Sequence, residues 1–286
     1  MNSAVHAITV PSPTQRWRDQ RQHWRVDRDE GFRKSDYTVD AIRDGVARAF
    51  VVQHHYSGSY PVVKERVGLF HGTQLVGVAV FSIPMNNHAM TRYTGWPAGA
   101  GLELGRFVLL DEVPYNAESF FLARAFKHLH ATRPDLHAVI AYSDPLPRQT
   151  ETGDTVMPGH VGVIYQASSA TYLGRAQPKT LHVTRDGMAL STRALSKIRL
   201  QEHGAGSAER RLVKLGAPPR AFGQDPADWV ASVLASGVFR KVHHPGNHVY
   251  GFALGPARSK HRAAARFAPA LPYPKSIDAE QGSVST

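Results

Sequence analysis

Residues 102–143, LELGRFVLLDEVPYNAESFFLARAFKHLHATRPDLHAVIAYS, decide the fold. Leu104 and the run Phe107, Val108, Leu109 and Leu110 are apolar and β-prone, with one cation, Arg106, among them. Pro114 has no N–H to give a ladder, so the strand must stop before it. Asn116 predicts an N-cap, with Glu118 and Ser119 in the first helical turn, where anionic and hydrogen-bonding side chains suit the dipole. Phe120, Phe121, Leu122, Ala123, Phe126 and Leu129 follow at near-helical spacing, and Arg133-Pro134 breaks the helix. Leu136, Ala138, Val139, Ile140 and Ala141 predict a second, buried strand ending in Tyr142, Ser143 and Asp144 before Pro145. Strand, helix and strand in this order predict a parallel pair with a right-handed crossover. The unpartnered N–H groups of the helix N-terminus make a candidate anion site.

Working outward, Tyr37 and Val39 predict an edge strand. A helix follows through Ile42, Val46, Ala49 and Phe50 to His54-His55-Tyr56. A hairpin turns at His71-Gly72-Thr73-Gln74, and residues 84–101 read as a long polar-aromatic loop. Residues 160–172 read as one short helix closed by Gly174, and residues 179–183 as a strand. Residues 191–200, 210–216 and 225–237 read as short helices, and 239–242 and 248–254 as late strands. The expected organisation is a polar extension over 1–36, a catalytic core over 37–190, and a basic helical insertion over 191–238. Late strands and a basic tail over 239–275 would pack on the core, and 276–286 would be a disordered tail. The fold class is α/β, with a mixed, mostly antiparallel sheet flanked by helices and a helical C-terminal extension.

With no cysteine in 286 residues, a disulfide framework, a thiolate nucleophile and a Cys-ligated zinc are excluded. No apolar run reaches membrane-spanning length and no signal-peptide core is present, so a cytoplasmic protein is expected. The net charge of +11 favours a polyanionic partner, and its interleaving with His, Tyr and Trp points to nucleic acid. The same excess would also serve solubility alone.

The element order is similar to that of the GCN5-related N-acetyltransferase (GNAT) superfamily, in which acyl-CoA sits between two parallel central strands. The motifs narrow it further. HHYSGSYP (54–61), LVGVAVFSIPMN (75–86), LELGRFVLLDEVPYNAESFFLARA (102–125), VIAYSDP (139–145) and HVGVIYQASSATYLGR (160–175) together resemble the phage Mom family. The resemblance covers residues 37–183, then runs more weakly through TRALSKIR (192–199), HVYGFALG (248–255) and LPYPK (271–275). It implies a transferase that adds a carbamoylmethyl (acetamido) group to N6 of adenine in phage DNA, protecting it from host restriction. It also implies acetyl-CoA or a related acyl donor, a bound iron, and double-stranded DNA with a flipped adenine as partner. The oligomeric state is left open, a homodimer included. Two rivals stand beside this reading: a conventional acetyl-CoA-dependent N-acetyltransferase on a protein or small amine, and a non-catalytic DNA-binding protein.

Candidate residues carry two readings each. His54 and His55 could cap a helix C-terminus in solvent; the resemblance favours His55 as base or metal ligand and Tyr56 as a stacking or proton-donating group. Glu103 and Arg106 could be a structural ion pair; ELGRF favours Arg106 as a contact to substrate or phosphate oxygen and leaves Glu103 open. Asn116, Glu118 and Ser119 could bind a cofactor's pyrophosphate, with Ser119 also near the reacting group, or merely open a helix. The superfamily's glycine-rich Q/R-x-x-G-x-G/A run is absent from PYNAESFF. Tyr142 and Asp144 lie at a strand end, where ligands of open sheets bind; Asp144 before Pro145 is equally an ordinary turn residue. The resemblance favours Asp144 as base or metal ligand, and His55, Asp144 and His160 would make a two-His-one-carboxylate set. Tyr165 stands where many acetyltransferases place a tyrosine that protonates the leaving thiolate. For DNA, Arg92, Tyr93 and Trp96, then Arg175, Lys179, Arg193, Lys197 and Arg199, are the candidates.

Overall fold

The computed structural model describes residues 31–86, 88–114, 116–157 and 159–275, and the backbone of 14–18 and 21–25. The tail expected over 276–286, most of the N-terminal extension and Tyr115 lie outside the described residues. A hairpin of β1 (Thr14–Arg18) and β2 (Arg21–Arg25) comes first. Next are β3 (Tyr37–Ala41), α1 (Asp44–His54), β4 (Val63–His71), β5 (Gln74–Ser82), α2 (Ala89–Thr94) and β6 (Gly101–Leu109). Then come α3 (Ala117–Thr132), β7 (Ala138–Ser143), β8 (Arg148–Gln149), β9 (Thr155–Met157), α4 (Val163–Ala167) and β10 (Thr171–Arg175). The chain ends through β11 (Lys179–Val183), α5 (Thr192–Arg199), α6 (Ala205–Lys214), α7 (Pro226–Ala235), β12 (Arg240–His244), β13 (His248–Ala253) and α8 (Ala257–Ala264).

A seven-stranded sheet runs in the order β10-β13-β7-β6-β5-β4-β3. The registers β3/β4, β4/β5 and β5/β6 are antiparallel, and β6/β7 is parallel across the α3 crossover. The mixed, largely antiparallel α/β architecture is therefore the one expected. The parallel register covers Gly101↔Ala138, Leu102↔Val139 and Glu103↔Ile140 and stops there. Among the described residues no helix is long and apolar enough to cross a membrane.

Contacts divide the chain into two compact units. The first comprises Met1–Ala141, Ile164–Ala170 and Gly251–Ala268. There α1 turns Ala47, Phe50 and Val51 onto Val78, Val80 and Val108. Full burial of side chains of the Val or Phe class contributes about 1.5–3 kcal/mol each. The second comprises Tyr142–Val163, Thr171–Tyr250 and Pro269–Thr286. Its helical part has a core of its own, in which Trp229, Val230 and Val233 of α7 meet Leu195, Ile198, Leu212 and Phe239. Caps hold these helices in place. Ser191 Oγ accepts from Ala194 N–H at the start of α5, and Asp225 accepts from Ala227 and Asp228 N–H ahead of Pro226.

Three expectations change. Residues 160–172 are not one helix: α4 spans Val163–Ala167, and Tyr172 lies in β10. Gly162 (φ 73°) before α4 and Ser169 (φ 59°) after it are left-handed, which ends a right-handed helix on both sides. The loop at 84–101 contains α2, closed by Gly95 in the left-handed conformation. The last strand, β13, lies inside the central sheet between β10 and β7.

Candidate functional site

In the first unit, side chains gather around Arg106 on β6. Strand residues alternate faces, so Glu103 and Arg106, three apart, should point opposite ways. The register with β5 jumps from Val80↔Arg106 to Phe81↔Leu104, leaving Gly105 as an extra residue. Such a bulge re-aims the strand and brings both charges within electrostatic reach of each other. Space at the bulge is tight: a Cβ there would stand 2.5 Å from Ser82 Oγ and 3.3 Å from Pro61 Cγ, so that Ser82 would have to move.

The Arg106 guanidinium is held by backbone and serine. Nε donates to the Ser59 carbonyl at 2.9 Å, Nη2 to Ser59 Oγ at 2.7 Å, and Nη1 to the Gly105 carbonyl. Ser59 Oγ donates to Ser57 Oγ at 3.2 Å, and Ser57 Oγ lies 2.9 Å from His55 Nδ1. The Ser57 N–H also donates to His55 Nδ1 at 3.1 Å, so Nδ1 is the acceptor and the neutral ring carries its proton on Nε2. This chain exists because α1 ends at His54, and Gly58 (φ 52°) turns the backbone back so that its N–H bonds the His55 carbonyl. His55 is 8% exposed, so it is not a solvent-facing cap. Its ring lies 4.3 Å from that of Tyr56.

Burial lowers the pKa of Arg106, against the opposing pull of Tyr56, Glu103 and Tyr165. Tyr165 is buried and meets Phe252 edge-on at 6.1 Å. The Glu103 carboxyl is pushed up to about 7: burial raises it, and Arg106 and a hydrogen bond from the Met85 backbone pull it part of the way back. A carboxyl poised near neutrality beside a fixed guanidinium can take up and release a proton at working pH. Sequence reading left Glu103 undecided. The available signal was an acid at the first residues of a buried strand, where a carboxylate needs a partner.

In the second unit, Asp144 is saturated. Its Oδ1 accepts from His244 Nε2 at 2.9 Å and from the Leu146 N–H at 3.0 Å, and its Oδ2 from Arg148 Nη1 at 2.7 Å. Burial works to raise its pKa, but the His244 hydrogen bond and the Arg148 charge outweigh it and hold the carboxyl well below the usual range. His244 is 1% exposed, and its Nδ1 accepts from the Gly246 N–H at 2.9 Å, which fixes Nε2–H toward Asp144. Asp144 is thus ionised at neutral pH and held by three donors. Tyr142 is half-buried, and the Ser143 hydroxyl is fully buried without a hydrogen-bond partner among the described residues.

The expected metal set does not fit. Both oxygens of Asp144 are taken, and burial lowers the pKa of His160 although Asp144 works to raise it. Among the described residues no group of three or more His, Asp or Glu could hold an ion. No step is therefore derived through iron. The expected pyrophosphate cradle fits poorly as well. Asn116 stands before α3 in the left-handed conformation (φ 67°) with no side-chain cap, and Glu118 puts an acid in the first turn. The Ser119 hydroxyl donates to the Asn116 carbonyl at 3.1 Å, a bond within its own turn. No step is derived through a CoA pyrophosphate.

The expected DNA residues divide. Tyr93 is buried at 7% exposure and is a packing aromatic, with exposed Arg92 at 5.4 Å from its ring. Trp96 has the Arg266 guanidinium over its ring at 4.2 Å and the His137 ring tilted against it at 4.0 Å. Arg193 is paired with Glu202. In the second unit, the β11/β12 ribbon carries exposed Lys179, Arg240 and Lys241. Positive charge concentrates there: burial, then Lys241 and Arg199, lower the pKa of His182. Arg175 and Lys197 are half-buried in the same unit.

Residues 36–217 match the Mom protein family. The methylcarbamoylase Mom of Escherichia phage Mu is 27% identical over 146 residues, which is 50% of this chain and 56% of that protein. The chain thus spans little more than half the length of that relative. A tandem GNAT protein from the clavulanic acid biosynthesis pathway, solved without AcCoA, aligns with 77% of this chain and 99% of its own at 9% identity and a TM-score of 0.38.

Proposed function

Since the chain belongs to the Mom protein family, we propose that it is a DNA-modifying transferase that places a carbamoylmethyl group on N6 of adenine, with the Glu103–Arg106 centre as its chemical site. One observation carries the reading. A carboxyl raised to about 7 lies within electrostatic reach of an arginine that is fixed by three hydrogen bonds, feels Tyr56 and Tyr165, and is linked to His55 through Ser59 and Ser57.

The chemistry asks for these groups. The N6 lone pair of adenine is delocalised into the ring, so attack requires loss of a proton as the new N6–C bond forms. Glu103, ionised above about pH 7, accepts that proton. The bond from the donor carbon to its leaving group breaks, and the leaving group departs with the electron pair. For the product to be carbamoylmethyl, the donor must carry its leaving group on the methylene carbon of an intact carbamoylmethyl unit, so that the N6–CH2 bond forms as that bond breaks. The guanidinium N–H groups of Arg106 that no described residue engages stabilise negative charge on a donor oxygen, in an orientation set beforehand by Ser59. The Tyr56 ring, tilted against that of His55 at 4.3 Å, offers a face for an adenine extruded from the duplex. The Tyr165 hydroxyl supplies a proton to the departing group. In this reading Asp144 has no chemical role and ties its loop to β12.

The test is mass spectrometry of nucleosides from plasmid DNA after expression of soluble protein. Modified deoxyadenosine with the wild type, and none with Arg106→Ala, is expected. Wholly unmodified deoxyadenosine with soluble wild type would sink the proposal.

A further inference from the structure

We propose that a groove between β3 and α3, lined by none of the residues of the Glu103–Arg106 centre, holds the phosphodiester backbone of the nucleic-acid substrate. This rests on the reading of the protein as a DNA-modifying transferase. The groove has a volume of about 440 Å³ and is lined by Lys34, Tyr37, Thr38 and Val39 on one side and Phe120, Arg124, Lys127, His128 and Ala131 on the other. It lies wholly within the first unit.

The lining of α3 is a single stripe. Phe120, Arg124, Lys127, His128 and Ala131 follow at steps of four, three, one and three, the spacing of one helix face. A face turned toward a sheet edge is ordinarily apolar. Here its middle is cationic, and no carboxylate lines the groove. Among the described residues Lys34, Arg124 and Lys127 make no ion pair. The cations of this chain that serve structure look different: Arg148, Arg193 and Arg220 each hold a carboxylate. Two of the lining side chains, Tyr37 and Phe120, are aromatic. Phe32 packs against Tyr37 at 5.1 Å and Phe120 at 5.2 Å, and Arg124 lies 5.4 Å from the Phe120 ring. Unpaired cations along an open channel over aromatic rings are the chemistry of a nucleic-acid backbone track, whose affinity comes from releasing condensed counterions.

The experiment is fluorescence anisotropy of a labelled duplex against salt, with full-length protein and the variant Lys34→Gln/Arg124→Gln/Lys127→Gln. Each phosphate that the variant no longer neutralises should lower the slope of log K against log salt by about 0.9, so the triple variant should drop by roughly 2–3 in slope. Lys127→Gln alone, at an exposed position, should drop by about 0.9 and serves if the triple variant does not fold. An unchanged slope in folded variants overturns the proposal. So does protection of the groove by pyrophosphate with no change in duplex slope, which would mark a free-phosphate site. Nucleoside analysis at saturating DNA separates the two readings. Wild type that binds and modifies DNA while the variant keeps its slope removes the groove alone; wild type that neither binds nor modifies DNA removes the proposed function as well.

Discussion

Two carboxylates anchor the two units, and they move in opposite directions. Glu103 has one backbone hydrogen bond from Met85 and the nearby charge of Arg106, and burial wins, lifting it to about 7. Asp144 is also buried but takes three hydrogen bonds, from His244, Leu146 and Arg148, and is driven down. The difference is in donors, not in depth. A buried carboxylate with a full set of donors is a structural anion; one left short of donors keeps a proton to exchange. The same holds for the arginines: Arg148 is taken up by Asp144, whereas Arg106 is held by neutral oxygens of Ser59 and Gly105 and keeps its charge uncancelled at contact distance.

The comparison can be broken at three points. Asp144→Ala should have the largest effect, on folding: it leaves Arg148 and the buried His244 without their acceptor, at a cost of about 3–5 kcal/mol. Urea melts read this directly. Wild-type stability from this carboxyl should be complete above its unfolded value of 3.8 and be lost as pH falls below it, because the folded pKa is depressed. A stable Asp144→Ala protein that no longer modifies DNA would instead put Asp144 in the chemistry.

Glu103→Gln should act oppositely. The folded carboxyl is raised from 4.5 to about 7, so its contribution to stability is present below about 4.5 and is lost as pH rises through about 7. The variant should therefore gain on the wild type between pH 5 and pH 8, by at most roughly 3 kcal/mol. Its transfer activity should fall to background, and the wild-type rise of rate with pH through about 7 should disappear. Equal pH dependence of rate in both proteins would exclude Glu103 as proton acceptor.

Ser59→Ala removes one bond to the guanidinium and leaves the backbone carbonyl contact. Activity should drop only several-fold, corresponding to about 1 kcal/mol, with folding unchanged. A loss as deep as that of Arg106→Ala would show that the serine itself meets the substrate.

Much of the fold was legible because periodicity and breakers agree locally. Pro114 and Arg133-Pro134 bracket α3, and the continuous apolar run from Ala138 marks β7 as a buried strand. The helix expected over 160–172 failed because φ signs at Gly162 and Ser169 are not written in apolar spacing. Tyr93 was assigned to DNA for its chemical type and its loop, but that loop folds into α2 and buries it. Arg106 and Glu103 could be noticed as charges in an apolar strand, yet alternation alone would have set them on opposite faces.

By itself, the sequence determined the element types, the parallel pair around α3, the charge excess and the family resemblance, since each depends on residues close in the chain or on composition. Only the tertiary structure decided which buried carboxylate is short of donors. The Asp144 donor His244 lies 100 residues away, and the strand between Glu103 and Arg106, which influence each other electrostatically, carries a one-residue bulge at Gly105 that no hydrophobic pattern announces. Proton affinity is set by the donors and charges within a few ångströms, and in this chain folding alone brings them there.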